Sequence, residues 1–336
     1  MNPSSRLYDA FLGSLVADAF SMPVHWYYDT RSLDHDYPDL KFFTAPKNPH
    51  PNSILWRSSF TPENEDANIL HGQAFYWGKW GVHYHQFLPA GENTLNFRLA
   101  LELYRMVVQT GGYDQGLWLD IYKKLMRTPG WHDDTYVEEY HRNFFNRLAT
   151  GYPPKYCGSD DIHIGGLATV PALLAGLAQV ESPDEDRWVQ TVRSHVELTH
   201  KSEAALTAAE SLVLMLMDLS QDRGLGEAIE SRGAAWTSVA HLEELRTFED
   251  RLIVGLQLSS ACYLPDSFTA SLFLSWKHRQ SFEQAVTANA LCGGDNCHRG
   301  AVVGSLLGAL QGVPRALMPE LKAYDRLVEI CEDLMV

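Results

Sequence analysis

Positive charge is scarce in this sequence. Its 336 residues include 27 Lys and Arg against 42 Asp and Glu, which gives a formal net charge of −15 at pH 7. Proteins that bind nucleic acid or anionic membrane surfaces need basic patches, so this balance argues against both kinds of partner. Cysteine is scarce too. The five cysteines lack the spacing of a disulfide framework, and their odd number suits a reducing compartment.

Long apolar runs are also missing. No segment reaches the roughly 20 apolar residues that cross a bilayer, and the segment from Met1 to Arg6 lacks the apolar core of a signal peptide. We therefore expect a cytoplasmic protein without a membrane partner. Hydrophobic residues make up 45% of the chain, which is enough to fill a sizeable core. The sequence leaves the oligomeric state open.

Sustained alternation of apolar and polar residues, which is typical of half-buried strands, is absent. Apolar residues recur instead at helical spacing along most of the chain. This pattern predicts an all-α protein, a compact helical bundle that forms a single domain over residues 1–336. The predicted helices cover approximately residues 4–20, 95–109, 115–127, 133–149, 165–181, 185–199, 202–219, 224–230, 245–260, 268–276, 280–290 and 318–334, besides a helix after residue 295.

Residues 29–90 are the exception to helical spacing. This segment is rich in proline, tryptophan, tyrosine and phenylalanine. A long irregular segment inside a compact domain is usually either functional or disordered, and the aromatic content argues against disorder. We predict that residues 29–90 form a lid over a pocket. A surface excursion packed on its own aromatic side chains is the alternative.

Metal-ligating and acid–base side chains concentrate near the C-terminus. From Cys292 to Gly312 the sequence runs Cys-Gly-Gly-Asp-Asn-Cys-His and continues into a segment with glycine at every fourth position. Each glycine in a helix costs about 0.5–1 kcal/mol relative to alanine, so a stripe of four predicts that another backbone comes very close. The alternative is a tightly packed core helix preceded by an ordinary loop.

Two other helix ends carry polar residues. Pro23 stops the first helix and places His25 just beyond it, and Ser4 or Ser5 is the expected N-cap of that helix. Thr94 is the expected cap of the helix that follows it, so Glu92 and Asn93 lie at a second helix N-terminus. His83 and His85 alternate as on one side of an extended strand.

Three of these stretches match one family pattern in the same order. The segment Gly-Ser-Leu-Val-Ala-Asp-Ala-Phe-Ser-Met-Pro-Val-His from Gly13 resembles the Gly-x-x-x-Gly-Asp-Ala-x-Gly-x-Pro-x-Glu start of ADP-ribosylglycohydrolases. Gly91-Glu-Asn-Thr is similar to their Thr-Asp-Asp-Thr, and Gly293-Gly-Asp-Asn-Cys-His is similar to their Gly-Gly-Asp-Thr-Asp-Thr. Thr199-His200, before an Ala-rich helix, is a fourth shared landmark. The resemblance covers nearly the whole chain.

The resemblance implies an orthogonal helical bundle with two Mg²⁺ ions in a central cleft, which hydrolyses ADP-ribose from modified side chains or related conjugates. The aligned positions give candidate catalytic residues Glu92, Asp295 and His25. They give candidate metal ligands Asp295, Cys297, His298, His25, Glu92 and Asn93. The candidate substrate-binding residues are Arg299, His83, His85 and His163.

Several of these residues have a second interpretation. Arg299 could hold a phosphate or carboxylate or simply pair with an acid. His83 and His85 could be hydrogen-bonded lid residues rather than ligands. Cys297 could be a nucleophile, since a helix N-terminus and the adjacent His298 would lower the pKa of its thiol.

Three departures from the family pattern replace an oxygen donor with a softer donor. Mg²⁺ requires hard oxygen ligands, whereas Cys297, His298 and His25 are softer donors that suit Zn or Fe. Only Glu92 and Asp295 remain as carboxylates at the aligned positions, so two adjacent dications would be poorly neutralised. We therefore expect no paired Mg²⁺ centre. The site holds either one Zn or Fe ion, bound partly by Cys297 and His298, or no metal.

Two classes of function follow. The first is a hydrolase that acts on an N- or O-glycosidic bond of an ADP-ribosyl or related ribosyl compound, with an altered or degenerate metal centre. The second is a non-catalytic member of the same fold that binds a ligand or has a structural role. Jellyfish lens J1-crystallins resemble this family, and the stretch Gly91-Glu-Asn-Thr-Leu is similar to them. The retained donor groups favour the first class, and the loss of paired Asp residues favours the second.

Overall fold

A computed structural model describes the backbone of residues 2–333 and the side chains of residues 2–330. Within that range the chain is helical, and its strand pairing is limited to isolated bridges such as Ser159 with His200 and His163 with Tyr263. The all-α prediction is confirmed. The helices are α1 Pro3–Ser21, α2 Thr30–Asp36, α3 Leu95–Thr110, α4 Gln115–Met126, α5 Glu139–Ala149, α6 Val170–Val180, α7 Glu185–Val196, α8 Glu203–Ser220, α9 Leu225–Arg232, α10 Val239–Leu245, α11 Asp250–Ile253, α12 Asp266–Lys277, α13 Phe282–Leu291, α14 Asn296–Gln311 and α15 Lys322–Asp333.

The centre of the bundle is the pair formed by α1 and α14. A Cβ atom added at Gly13 would overlap the backbone carbonyl of Gly304, and one added at Gly308 would overlap the carbonyl of Asp9. The two helices therefore pack backbone against backbone, as the glycine stripe predicts. Helices α6, α8, α12 and α13 pack around this pair. Among the helices that the structure describes, none combines the length and the apolar character that crossing a membrane requires.

Two predicted helices begin or end elsewhere. Residues 133–138 are irregular, because the backbone N–H groups of Thr135 and Tyr136 donate to the carbonyl of Tyr84 instead of to a helical partner. The predicted helix 245–260 is also wrong: α10 and α11 are short, and the chain from Val254 to Pro265 is mostly irregular. Carbonyl groups in that loop accept hydrogen bonds from other segments, for example from the N–H of Asp295.

Smaller corrections concern the helix ends and the histidine pair. The side chain that caps α1 is Asn2, which accepts from the N–H of Ser5, rather than Ser4 or Ser5. His83 and His85 lie in consecutive turns and not in a strand, since Gln86 N–H donates to the carbonyl of His83. The predicted end of the last helix at residue 334 lies outside the described residues.

Most of segment 29–90 is irregular, with α2 and a few 3₁₀ turns. The segment is attached to the bundle by buried polar contacts. Nε1 of Trp77 donates to the carbonyl of Thr135 at 2.7 Å, and Nε2 of His83 lies 3.0 Å from the carbonyl oxygen of Pro23. Ile54, Ser58 and Tyr84 of this segment line a cleft that is described below. A lid movement of residues 29–90 stays a prediction.

Candidate functional site

The close packing of α1 and α14 brings two loops together. His25 follows the end of α1, and Asp295 caps the start of α14, where its side chain accepts from the N–H of His298. Two backbone hydrogen bonds join these loops: Trp26 N–H donates to the carbonyl of Gly294, and Gly294 N–H donates to the carbonyl of Tyr27, each at 2.8 Å. Gly294 has a positive φ of 64°, which favours glycine.

A row of buried side chains crosses this junction. Oδ1 of Asp134 lies 2.9 Å from Nδ1 of His85, and Nε2 of His85 lies 2.8 Å from Nδ1 of His25. Nε2 of His25 lies 3.2 Å from Oδ1 of Asp295. Each of the four side chains belongs to a residue that is at most 1% exposed. Solvent therefore does not compete for these hydrogen bonds.

The geometry of this row determines how many protons it needs. Three hydrogen bonds in series between two ionised carboxylates need three protons, but two neutral imidazoles carry only two. Burial would raise the pKa values of Asp134 and Asp295, yet their histidine partners outweigh burial and lower both pKa values. Burial lowers the pKa of His25 to about 3, which keeps that ring neutral. The row therefore needs one proton more than two neutral rings carry.

His298 contacts the same carboxylate from the first turn of α14. Its Nδ1 lies 2.7 Å from Oδ1 of Asp295, and its Nε2 lies 3.4 Å from Oε1 of Glu138. Burial lowers the pKa of His298, but attraction and hydrogen bonding to Asp295, together with the charge of Glu138, outweigh burial and raise it to about 9. The ring is thus an imidazolium at neutral pH.

The charge on His298 also decides the orientation of Asn96. The side-chain amide of Asn96 lies 2.9 Å from Nε2 of His298, with its nitrogen nearer. A charged ring donates from both nitrogens, so a nitrogen there would set two donors face to face. Exchanging the amide oxygen and nitrogen does not alter the shape of the side chain. The other end of the amide lies 2.8 Å from the hydroxyl of Tyr140 and 2.9 Å from Nε2 of His141. Both of these atoms can accept from an amide nitrogen, so we assign the amide oxygen of Asn96 as the atom that faces His298.

Two carboxyl groups flank His298, and their pKa values are moved in opposite directions. Oδ2 of Asp295 and Oε2 of Glu138 are buried and have no hydrogen-bond partner among the described residues. Burial raises the pKa of Glu138, whereas Asp295 stays ionised as described above. Such a pair, with pKa values moved in opposite directions, is typical of general acid–base sites.

A cleft leads from the surface to this cluster. Its volume is about 1210 Å³, including the space open to solvent, and its wall contains Glu138, His163 and Cys262. Oδ2 of Asp295 lies 3.4 Å from Nε2 of His163. Glu138 is 4% exposed, so it lies at the inner end of the cleft. The aromatic residues of the wall are Trp26, Tyr28, Tyr84, Tyr136 and Tyr263.

Two groups of metal-ligating side chains occur within the part of the chain that the structure describes. One is His25, Asp295 and His298, and the other is His163, Cys262 and Asp295; the donor atoms of each group lie within 4.8 Å of one another. These residues do not fit a paired Mg²⁺ centre, because Mg²⁺ requires an octahedron of oxygens and the two groups share a single carboxylate. Their nitrogen and sulfur atoms are donors for a softer ion.

The second group is already committed to hydrogen bonding. Nδ1 of His163 accepts the N–H of Gly165 at 2.8 Å, so the proton of the neutral ring lies on Nε2, which faces Asp295. Burial lowers the pKa of His163 to about 3, which keeps the ring neutral. Metal binding at Nε2 would displace that proton to Nδ1 and set it against the N–H of Gly165. His163 is therefore better suited to donate to Asp295 than to bind a metal.

Glu92 and Asn93 have partners other than this cluster. Oε2 of Glu92 lies 3.1 Å from Nη2 of Arg326, and Glu92 belongs to neither group of metal-ligating side chains. The amide of Asn93 donates to Oδ2 of Asp18 and to the carbonyl of Leu15, both at 2.8 Å. Burial raises the pKa of Asp18 to about 6. Asn93 donates one of the hydrogen bonds that the side chain of Asp18 accepts.

Cys297 lies one residue before His298 but faces a different direction. Its Sγ lies 3.7 Å from the backbone carbonyl of Asp18, and the thiol belongs to neither metal-ligating group. Cys297 is fully buried. The expectation of a lowered thiol pKa is wrong, because burial raises the pKa of Cys297 well above its usual value and nearby carboxylates add to that effect.

Arg299 and His83 are bonded inside the protein. The guanidinium of Arg299 donates to Oδ1 and the carbonyl of Asn289 and to the carbonyl of Gly293, at 2.8–2.9 Å. These contacts hold the loop between α13 and α14. His83 accepts the N–H of His85 at Nδ1, and its Nε2 therefore donates to the carbonyl of Pro23. His85, in contrast, belongs to the buried row.

Sequence reasoning did not find Asp134, Glu138 or Cys262 as site residues. Asp134 and Glu138 lie in a stretch that the sequence predicts to be helical, and their partners are distant in the sequence. Cys262 has no motif around it, and a lone cysteine usually behaves as a small hydrophobic residue. The only sequence signal is the closeness of three acids in residues 133–138, and such acids are usually solvated.

The fold and site define an all-α protein with a buried carboxylate–imidazole cluster at the inner end of an aromatic cleft. The chain belongs to the ADP-ribosylglycohydrolase family, whose model matches residues 1–336. A solved structure described as an ADP-ribosylglycohydrolase-related protein complex is similar, with a TM-score of 0.63 and 21% sequence identity over 99% of this chain and 98% of that chain. This likeness shows the shared fold. No curated protein matches the sequence.

Proposed function

We propose that this chain hydrolyses an N- or O-glycosidic bond of an ADP-ribosyl or related ribosyl compound. Family membership supports a hydrolase of this kind. The observation that carries the proposal is the pair of carboxyl groups on either side of His298, one ionised and one with a raised pKa. Glycosidic bonds are commonly cleaved by two carboxyl groups with this division of roles.

The two carboxyl groups have distinct tasks in this proposal. Glu138 lies in the cleft wall, and its raised pKa favours the protonated form that donates to the leaving group. The ionised Asp295 accepts a proton from the attacking water through Oδ2, the oxygen that faces Nε2 of His163 at 3.4 Å. His25 and His298 are positioning residues, since they hold Oδ1 of Asp295. Glu92, a candidate from the sequence, takes no part because it pairs with Arg326.

The metal requirement of the proposed reaction differs from that of the family pattern. No step depends on paired Mg²⁺, because the aligned residues do not supply enough oxygen ligands. One Zn or Fe ion at His25, Asp295 and His298 is the alternative and would replace their mutual hydrogen bonds. Elemental analysis of the purified protein separates the two cases: a stoichiometric transition metal supports the alternative.

A substrate screen with matched variants tests the function. Release of free ribosyl product is measured on ADP-ribosyl-arginine and on simple N- and O-ribosides, in the presence and absence of Mg²⁺. Glu138→Gln and Asp295→Asn should each lower turnover by about 100-fold or more. Glu283→Gln, on the exposed start of α13, is the control and should retain full turnover. Turnover that survives both site substitutions contradicts the assignment.

A non-catalytic role is the second candidate function. The observation that favours it is that Glu92, Asn93 and Cys297, which align with family metal positions, are all engaged in internal contacts. A protein that binds ribosyl compounds without releasing product, in wild type and Asp295→Asn alike, would support this role.

A further inference from the structure

The two imidazole rings of the buried row are aligned with each other. The planes of His25 and His85 are within 2° of parallel, and their centroids are 5.0 Å apart. Because the facing nitrogens are only 2.8 Å apart, the rings meet edge to edge through these nitrogens and not face to face. A hydrogen bond weakens steeply when it is bent, so the orientation of His85 determines the orientation of His25.

Asp134 fixes the outer ring of the row. Its Oδ1 lies 2.9 Å from Nδ1 of His85. A carboxylate only accepts hydrogen bonds, so Nδ1 of His85 carries a proton. The loop that bears Asp134 is also bonded next to His85, because the N–H groups of Thr135 and Tyr136 donate to the carbonyl of Tyr84. Backbone and side chain thus hold the carboxylate against this ring.

Trp26 closes the row on the side of the cleft. Its φ is 61°, a left-handed conformation that is costly for a bulky residue and is found mainly at functional sites. The N–H of Trp26 donates to the carbonyl of Gly294, and its ring stacks on the ring of His25 with centroids 3.7 Å apart. Trp26 also lines the cleft. The indole therefore covers one face of His25 and opposes its rotation out of the row.

Stability alone does not account for the carboxylate of Asp134. This residue is 1% exposed, and its Oδ2 has no hydrogen-bond partner among the described residues. A buried ionic contact of this kind is often no more stabilising than apolar side chains of similar volume. The other end of the row gives a reason for it, because Nε2 of His25 lies 3.2 Å from Oδ1 of Asp295.

We infer that Asp134 and His85 are positioning residues for the reaction. Through His25 they hold Oδ1 of Asp295, so that the orientation of the whole carboxylate, including Oδ2, is fixed. The inference rests on the function proposed above, in which Asp295 is the base. Neither Asp134 nor His85 touches the reacting atoms.

The inference gives segment 29–90 a role beyond that of a cover. His85 belongs to this segment, Asp134 belongs to the irregular stretch 133–138, and His25 follows α1. These three parts of the chain must all be in place before Asp295 is held. Displacement of segment 29–90 would remove His85 from the row and leave His25 without its outer partner.

NMR of the histidine rings tests the row without any substrate. In protein labelled with ¹⁵N-histidine, the ring signals report which nitrogens carry protons and what they contact. Asp134→Asn should move the signals of His85. It should also move those of His25 and His298, which contact the base from either side. His195, which lies outside the row, should keep its signals.

Turnover separates positioning from stability. On a substrate that the screen identifies, Asp134→Asn should lower kcat by about 10- to 100-fold and change KM by less than about threefold. His85→Leu should have the same effect. His85→Gln keeps a polar group near the position of Nε2 and should retain more turnover than His85→Leu.

Asp9→Asn is the matched control. Asp9 is also 1% exposed, but its carboxylate pairs with Arg315, away from the row. This variant should lose stability in urea unfolding and keep the kcat of the wild type. Circular dichroism confirms that each variant is folded. Where Asp134→Asn does not fold, His85→Gln takes its place in both measurements.

Three results would overturn the inference. The first is unchanged signals of His25 and His298 in folded Asp134→Asn protein, which would mean that the row does not reach the base. The second is an unchanged kcat in that variant. The third is an equal loss of kcat in Asp9→Asn, which would make the effect one of stability. A wild type that releases no product from any compound contradicts the proposed function, and the NMR comparison then decides the inference by itself.

Discussion

Gly13 of α1 and Gly304 of α14 touch backbone to backbone: a Cβ atom on either residue would overlap the carbonyl oxygen of the other. This contact sets the distance between the two helices whose ends carry His25 and Asp295. Any side chain here would move the helices apart and change the site as well as the core.

Substitution of Gly304 should therefore be severe. Gly304→Ala places a methyl group against backbone, which cannot move aside as a flexible side chain can, so we expect a loss of about 3 kcal/mol or more in the free energy of unfolding. Gly72→Ala is the matched control, because nothing lies within 4 Å of the added Cβ and φ is not positive. Urea unfolding of both variants gives the comparison, and equal stability would contradict this account of the helix pair.

Cys297 should be unreactive in the folded protein. Its side chain is fully buried, and burial raises the pKa of its thiol, so the thiolate that reacts with alkylating reagents is scarce. Iodoacetamide followed by peptide mass spectrometry should leave Cys297 unmodified in native protein and modify it in urea. Rapid labelling of Cys297 in the native state at neutral pH would restore it as a candidate nucleophile or metal ligand.

Glu92 should contribute to stability and not to turnover. Glu92→Gln removes the ion pair with Arg326, in which the Arg326 side chain is 35% exposed, so a loss of about 0.5–1 kcal/mol is expected. The rate of product release should change by less than about threefold, and that of Asp295→Asn should fall much further. A large loss of turnover in Glu92→Gln, at unchanged stability, would favour the assignment made from the family pattern.

His195 should make the protein sensitive to acid. It is buried between Tyr113 and Thr169, and burial lowers its pKa from 6.5 to about 3. The unfolded chain therefore takes up a proton at a higher pH than the folded protein does. The stability that this neutral histidine confers is present above pH 6.5 and is lost as the pH falls towards 3.

A variant isolates this effect from that of the other buried histidines. His195→Gln should be less stable than the wild type at pH 8, but the gap should narrow below pH 6.5 by up to about 1.4 kcal/mol per pH unit. Urea unfolding over a series of pH values measures the gap. A gap that does not change with pH would mean that folding leaves the pKa of His195 unchanged.

The sequence determined the helical class and the central helix pair. Apolar spacing of 3.6 residues and the absence of alternation are local properties, so they can be recognised without coordinates. The glycines of α14 indicate a backbone contact because their cost in a helix needs a reason. The family motifs also placed His25, Asp295 and His298 at helix ends that meet.

Tertiary structure decided the rest of the site. Successive residues on a helix point about 100° apart, so His298 faces Asp295 and Glu138, whereas its neighbour Cys297 faces the carbonyl of Asp18. Asp134 and Glu138 belong to the site only because residues 133–138 leave the helical path and bond to Tyr84. Glu92 pairs with Arg326, which belongs to α15 and is distant in the sequence. Such contacts depend on which side chains the folded chain brings near one another, and no spacing in the sequence encodes them.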